Sequence, residues 1–247
     1  MKIQILSDIH NEFEIYEPET CDADLVILAG DIHTKNRGIE WAQSRFSVPV
    51  LYVLGNHEAY GKTLPKYISE IRSLAEQTNV TILEKDVVTI GGVNFLGCTL
   101  WTDFEVMTNP RVAGYECQQV MTDYKKIKKL PNYSKIRSID TALYNKLSVN
   151  WLGKTLSELR GQTNVVITHH GPSMRSVPAH KTEDITTSAY VSNLESFIGE
   201  HDIDYWVHGH LHNSSSYNIG STTVICNPKG YPSEENPEFE PVKIISL

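Results

Sequence analysis

The sequence predicts a mixed α/β fold built on two β-sheets, and three observations lead to it. Short β-branched apolar runs alternate with helix-like spacing over residues 2–83, as βαβ units and a largely parallel sheet require. A meander follows, centred on Gly91-Gly92. Beyond residue 160 further short apolar runs return, and the last of them alternate polar with apolar residues in the manner of antiparallel strands.

Taken in order, residues 2–6, 24–29 and 49–54 are continuous apolar runs of strand length and read as buried strands. Residues 36–46 and 63–78 carry helical spacing. Val80–Leu83 and two strands joined at Gly91-Gly92 lead to Cys98. The stretch from Trp101 to about residue 133 is polar, rich in Tyr and Lys, and has no clean period. It is too long for a structureless connection, so an insertion lying over one face is expected there, and it is expected to set substrate choice. A helix over 134–160 with Gly161 as its stop follows. A strand at 164–168, a helix at 188–200, and strands at 205–207, 215–218, Thr222–Cys226 and 242–246 complete the reading. Residues 1–247 are expected to form a single domain.

Composition narrows the function. Hydrophobic residues make up 40% and charged residues 21%, which suits an ordinary globular core. The balance of 22 basic to 30 acidic residues gives −8 with no long run of either sign. Duplex nucleic acid and anionic membranes call for clustered Lys and Arg, so both are disfavoured. Cys21, Cys98, Cys117 and Cys226 are scattered without a C-x-x-C pair, as in a reducing compartment. The opening apolar run is too short for a signal-peptide core and no stretch is long enough to span a membrane. A soluble, cytoplasmic protein is the expectation.

The chemistry lies in position. In five places an apolar strand ends and metal-capable residues follow at once: Ser7-Asp8-Ile9-His10, Gly30-Asp31, Gly55-Asn56-His57-Glu58, His169-His170 and His208-Gly209-His210. Ligands of α/β sheets gather at the carboxyl ends of strands, so the five can converge on one crevice. Asp, Asn and His form a mixed oxygen and nitrogen donor set, suited to Mn, Fe, Zn, Co or Ni rather than Ca. In Asp8-Ile9-His10 a strand-like period of two puts both polar side chains on one side. In His208-Gly209-His210 the glycine lets the backbone approach the ions.

The ordered motifs D-x-H, G-D, G-N-H-E, H-H and H-G-H, running from Asp8 to His210, resemble those of the calcineurin-like metallophosphoesterase superfamily. The resemblance implies two mixed β-sheets packed as a sandwich flanked by helices, a four-layer αββα architecture. It implies two divalent ions, manganese foremost, with Asp8, His10 and His210 on the first, Asn56, His169 and His208 on the second, and Asp31 bridging. A hydroxide shared by the ions would attack phosphorus in line with the leaving oxygen, and His57 would protonate that oxygen. The expected substrate is a small phosphodiester or phosphomonoester such as a nucleotide.

Other residues carry less. His170 and His212 each lie close to an expected ligand and read as supporting groups or phosphate contacts. Glu58 reads as a local hydrogen-bond acceptor, and His33 and His180 as loop residues. The run Lys125-Lys126-Ile127-Lys128-Lys129 reads as a solvated face, with single-strand nuclease activity the alternative it would support. Members that act on proteins usually carry Arg before G-N-H-E, where this chain has Leu54. The tail Asn227-Pro228-Lys229-Gly230-Tyr231-Pro232 looks like that of compact bacterial members, and Lys229 is a candidate to orient an anionic substrate. A non-enzymatic scaffold is the reading from another class, and such a descendant would be expected to lose ligands, whereas all are present. Oligomeric state is not legible.

Overall fold

In the computed structural model, which describes residues 1–107 and 109–247, the apolar runs form two sheets. The first has the order Ile244–Ser246, Lys2–Leu6, Leu25–Ala29, Val50–Val53, Val80–Leu83. All its neighbours are parallel except Ile244–Ser246, which runs antiparallel to Lys2–Leu6. The second has the order Ser215–Ile219, Thr222–Cys226, Tyr205–His208, Thr163–Thr168, Val93–Cys98, Asp86–Ile90. Its four inner strands are parallel and its two edge strands antiparallel. The expected antiparallel ending is thus divided between the sheets, and Thr222–Cys226 pairs parallel with Tyr205–His208.

Strand periodicity explains why the sheets face one another. Ile3, Ile5, Leu25, Ile27, Leu51 and Val53 on one sheet share a buried cluster with Phe95, Val165, Ile167, Val207 and Ile225 on the other. The alternate residues point outward. Leu28, Val50 and Tyr52 meet Ile39 and Trp41 of α1 (Arg37–Arg45) and Tyr67 and Ile71 of α2 (Lys66–Ala75). On the far side Leu96, Val166, Trp206 and Val224 form the third cluster, with Leu152 and Leu156 of a long helix and Ile198 of a short one. The layers run helix, sheet, sheet, helix, as expected.

The insertion is more ordered than its composition indicated. It holds α3 (Pro110–Val120) and α4 (Asp123–Lys126), followed by α5 (Ser138–Glu158). Asn109 caps α3 through Oδ1, which accepts from the N–H groups of Arg111 and Val112 at 3.1 and 3.2 Å, with Pro110 in the first turn. Ala113 and Cys117 face inward, and Phe104, Tyr124, Ile127 and Ile136 join the core over the first sheet. Exposed Val112, Tyr115 and Val120 blur the period on the other face.

The helix expected at 188–200 is shorter: only α6 (Glu195–Gly199) is α-helical. Residues 190–192 are held instead by Gly171, whose N–H donates to Tyr190 O and whose carbonyl accepts from Ser192 N, both at 3.0 Å. Pairing with a neighbouring turn outweighs helical spacing here. Among the described residues no helix is long and apolar enough to cross a membrane.

At Gly97 the sheets leave no room for a side chain: a Cβ there would collide with Leu83 and Val53. Gly97→Ala is expected to lower unfolding free energy by about 1–3 kcal/mol through overpacking, read as an earlier midpoint in urea denaturation; an unchanged midpoint would show that the interface has room.

Candidate metal centre

The turns after the strands are joined before any side chain is considered. Asp8 N donates to Gly30 O, His10 N to Asp31 O and Asn11 N to Ile32 O, each at 3.0 Å. This lacing depends on left-handed backbone at Asp8, His10 and Asp31 (φ 50°, 52° and 52°), and His210 and His212 share it (φ 73° and 55°). Non-glycine residues in this region are uncommon and cost about 1–3 kcal/mol each. The period of two in Asp8-Ile9-His10 is therefore produced by alternating strained residues beyond the strand end, with Ile9 buried between them.

Glu58 holds this backbone from beneath. Its fully buried carboxylate accepts from Ile32 N at 2.8 Å, Asp31 N at 3.2 Å, Gly55 N at 2.8 Å and Tyr52 Oη at 2.6 Å. The role is local hydrogen bonding, as the sequence indicated. Burial, then the Asp31 charge, push its pKa up to about 7.

The side chains converge in two groups that share Asp8, one with Asp31, His169 and His210 and the other with His10 and His212, and a third of His10, Glu12 and His57 adjoins them. Asp31 Oδ2 lies 3.4 Å from His169 Nε2 and 4.0 Å from His10 Nε2. Asn56 Oδ1 lies 3.0 Å from His169 Nε2. His10 Nε2 is 3.0 Å from His212 Nε2, which is 3.5 Å from Asp8 Oδ1. His169 Nδ1 donates to Ala29 O at 3.0 Å, and Glu12 Oε1 sits 3.1 Å from His10 Nδ1. Each ring is thereby oriented with Nε2 towards the carboxylates, the arrangement that outer partners give a metal-binding imidazole.

His208 does not join them. Its Nε2 is 2.8 Å from Ser176 Oγ and its Nδ1 is 3.0 Å from Gly209 O. The sequence reading took His208 and His210 as the paired ligands; the structure brings His210 and His212 to the cluster instead. The strand continues through His208, so that ring is spent before the chain turns. Gly209 then passes so close that a Cβ would stand 2.5 Å from Asp8 Oδ2, and His210 N donates to both Asp8 oxygens at 3.0 Å.

His57 stands beside both groups. Its Nδ1 is 2.7 Å from Glu12 Oε1, its Nε2 is 3.8 Å from Asp31 Oδ2, and Tyr231 Oη is 3.2 Å from Nε2. Burial opposes its charge, but Asp31 and Glu12 outweigh burial and raise its pKa to about 9. Burial likewise opposes ionisation of Glu12, yet His10 and His57 hold it down at about 2. Asp31 is held well below the usual carboxylate range against its burial by His57 and His169. Burial, and after it the neighbouring His170 and His169, drive His210 well down, and its Nε2 is buried without a hydrogen-bond partner. An orphaned imidazole nitrogen aimed into a ring of ionised carboxylates fits a divalent cation of the transition series.

The remaining expectations divide. His170 is buried behind His210, with Nδ1 donating to Thr99 O at 3.1 Å. Lys229 directs its ammonium to Glu235 and towards the Tyr16 ring. His33 is buried rather than a surface loop residue, and His180 is exposed. In the basic run, Lys126 lies 4.9 Å over the Tyr60 ring and Lys129 pairs with Asp140. Glu12, Tyr60, Asp123, Tyr190 and Tyr231 were not foreseen. Glu12 continues the spacing of Asp8 and His10 and could have been found from it. Tyr190, stacked on His210 with ring centroids 4.7 Å apart, and Tyr231 arrive from distant segments without a local signal. A cavity of about 360 Å³ opens above the cluster, with Val120–Asp123, Lys181, Tyr190 and Tyr231 among its walls.

Comparison with known proteins accords with this geometry. The phosphopantetheinyl hydrolase of Mycobacterium tuberculosis superposes with a TM-score of 0.75 at 16% identity, over 94% of this chain and 90% of its own. A dimetal phosphatase from Danio rerio gives 0.53 at 14% identity, over 91% and 86%. An uncharacterized protein of Acanthamoeba polyphaga mimivirus is 23% identical over 215 residues, 80% of this chain and 73% of that one. Residues 1–214 match the model of the calcineurin-like phosphoesterases, and this chain, its Asp and His cluster intact, belongs to that family of metal-dependent phosphoesterases.

Proposed function

We propose that this protein hydrolyses small phosphoesters, diesters or monoesters such as nucleotides, at two divalent ions bound between the turns. The observation that carries the reading is the position of Asp31 Oδ2, which faces His10 Nε2 at 4.0 Å on one side and His169 Nε2 at 3.4 Å on the other. Asp8, His10 and His212 would hold one ion, Asn56, His169 and His210 the other, and Asp31 would be shared. Manganese is the ion proposed among the first-row metals that this donor set suits. Bound there, the pair would supply Lewis acidity and a water that ionises near neutral pH.

The chain's own groups do the rest. His57 is oriented by Glu12 through Nδ1 and turns Nε2 to the cavity, where it can pass a proton to the leaving oxygen. Tyr231 Oη, 3.2 Å from that nitrogen, keeps the ring in place. The cavity of about 360 Å³ accommodates a small ester, and the lysines at 126 and 129 are already engaged, which gives nuclease activity no support. Residues 101–133 are read as part of the same domain, shaping specificity through the wall at Val120–Asp123. Four free cysteines support a reducing, cytoplasmic setting.

Metal analysis of wild type is expected to find two ions per chain, with Mn²⁺-dependent hydrolysis of aryl phosphates that Asp31→Ala abolishes. Absence of both metal and activity would remove the proposal, and the ratio of bis-aryl to mono-aryl rates would direct the substrate search. His212→Ala is expected to retain one ion where His208→Ala retains two. The reverse result would restore the ligand pair read from the sequence.

A further inference from the structure

We propose that Asp123, supplied by the insertion, is the positioning residue that makes Asn56 present its oxygen, and not its nitrogen, to the metal centre. The inference rests on Asn56 being a ligand, as proposed above. The two ends of an asparagine amide have almost the same shape, so only hydrogen-bonding partners decide which end points where. Towards the cluster, Asn56 Oδ1 faces His169 Nε2 at 3.0 Å. With Nδ1 donating to Ala29 O, an Nε2 ready to ligate carries no proton and would itself favour the amide nitrogen, so before an ion is bound nothing on this side holds the oxygen inward.

The choice falls to the opposite side. Asn56 Nδ2 donates to Asp123 Oδ1 at 2.8 Å and to Tyr60 Oη at 3.2 Å. Tyr60 could accept or donate, but its hydroxyl also donates to Asp123 Oδ1 at 2.8 Å. Asp123 is therefore the member of this triad that, ionised, only accepts. It is almost wholly buried, 3% exposed, so a flipped amide, which would set oxygen against oxygen and leave the carboxylate to Tyr60 alone, carries a heavy penalty. The insertion thus finishes the metal centre as well as walling the cavity.

The test is Mn²⁺ titration of metal-free protein, read as stoichiometry and affinity, on wild type, Asp123→Ala and Asp123→Asn, each also combined with Asn56→Asp. In the Asn56 background, Asp123→Ala is expected to weaken one of the two ions by about ten- to a hundredfold and spare the other. Asp123→Asn should lose less, because its carbonyl can still accept. With Asn56→Asp the ligand has two oxygens and its orientation ceases to matter, while two carboxylates would oppose each other across the 2.8 Å contact. Removing Asp123 there is expected to tighten Mn²⁺ binding. A purely structural role predicts the same loss in both backgrounds, and that outcome, or unaltered affinity in Asp123→Ala, overturns the inference. Circular dichroism establishes folding, and if Asp123→Ala does not fold, Asp123→Asn in the two backgrounds carries the same comparison. Wild type that takes up no Mn²⁺ would overturn the functional reading and this inference together; two ions bound by wild type and Asp123→Ala alike would overturn this one alone.

Discussion

The buried carboxylate of Glu58 organises everything above it. Four donors from one strand and two turns end on its oxygens, and a buried group left without such partners would cost about 1–3 kcal/mol. Through Asp31 N and Gly55 N the same side chain sets the height of the Asp31 carboxylate and of the turn that carries Asn56 and His57. Tyr52 brings the donor that a lone buried charge would lack. The phenol comes from a strand whose other face packs between the sheets, so the site is referenced to the core rather than to its own loops.

That anchoring explains how the backbone tolerates so much strain in one place. Left-handed residues at Asp8, His10, Asp31, His210 and His212 are stable only where surrounding hydrogen bonds over-determine them. Here they do, with Gly30, Asp31 and Ile32 carbonyls receiving the first loop and the Asp8 carboxylate receiving the last. The strain brings donors from opposite ends of the chain to within hydrogen-bond range, which relaxed turns would not achieve.

Much of this was legible in the residues. Asp8, His10, Asp31, Asn56, His57 and His169 were readable because each follows directly on an apolar run, and topology carries such positions to one rim. The His-rich run at 208–212 was readable as a site, but the sequence pointed to His208 and His210 where the structure gathers His210 and His212 with the carboxylates. Alternation gives three candidates for two places, and only the last hydrogen bond of the strand shows where turning begins. The insertion hid its helices because half of α3 is apolar on its exposed side, although Asn109-Pro110 was a helix start in plain view. Asp123, Tyr190 and Tyr231 could not be found locally, since their contacts depend on how segments far apart in sequence fold over one another.

The first strand is braced from far along the sequence as well as from nearby. Lys2–Leu6 takes its antiparallel neighbour from Ile244–Ser246, while Lys229 N and Gly230 N donate to Ser7 O and Asp8 O at 3.0 Å. Gly30 and Asp31 brace the turn carrying Asp8 and His10 from nearby in the sequence, and residues 229 and 230 brace it from far along it. That turn is thus held from both sides of the sequence, and a change that loosened residues 244–246 would reach it through Lys2–Leu6, although the two lie more than 200 residues apart.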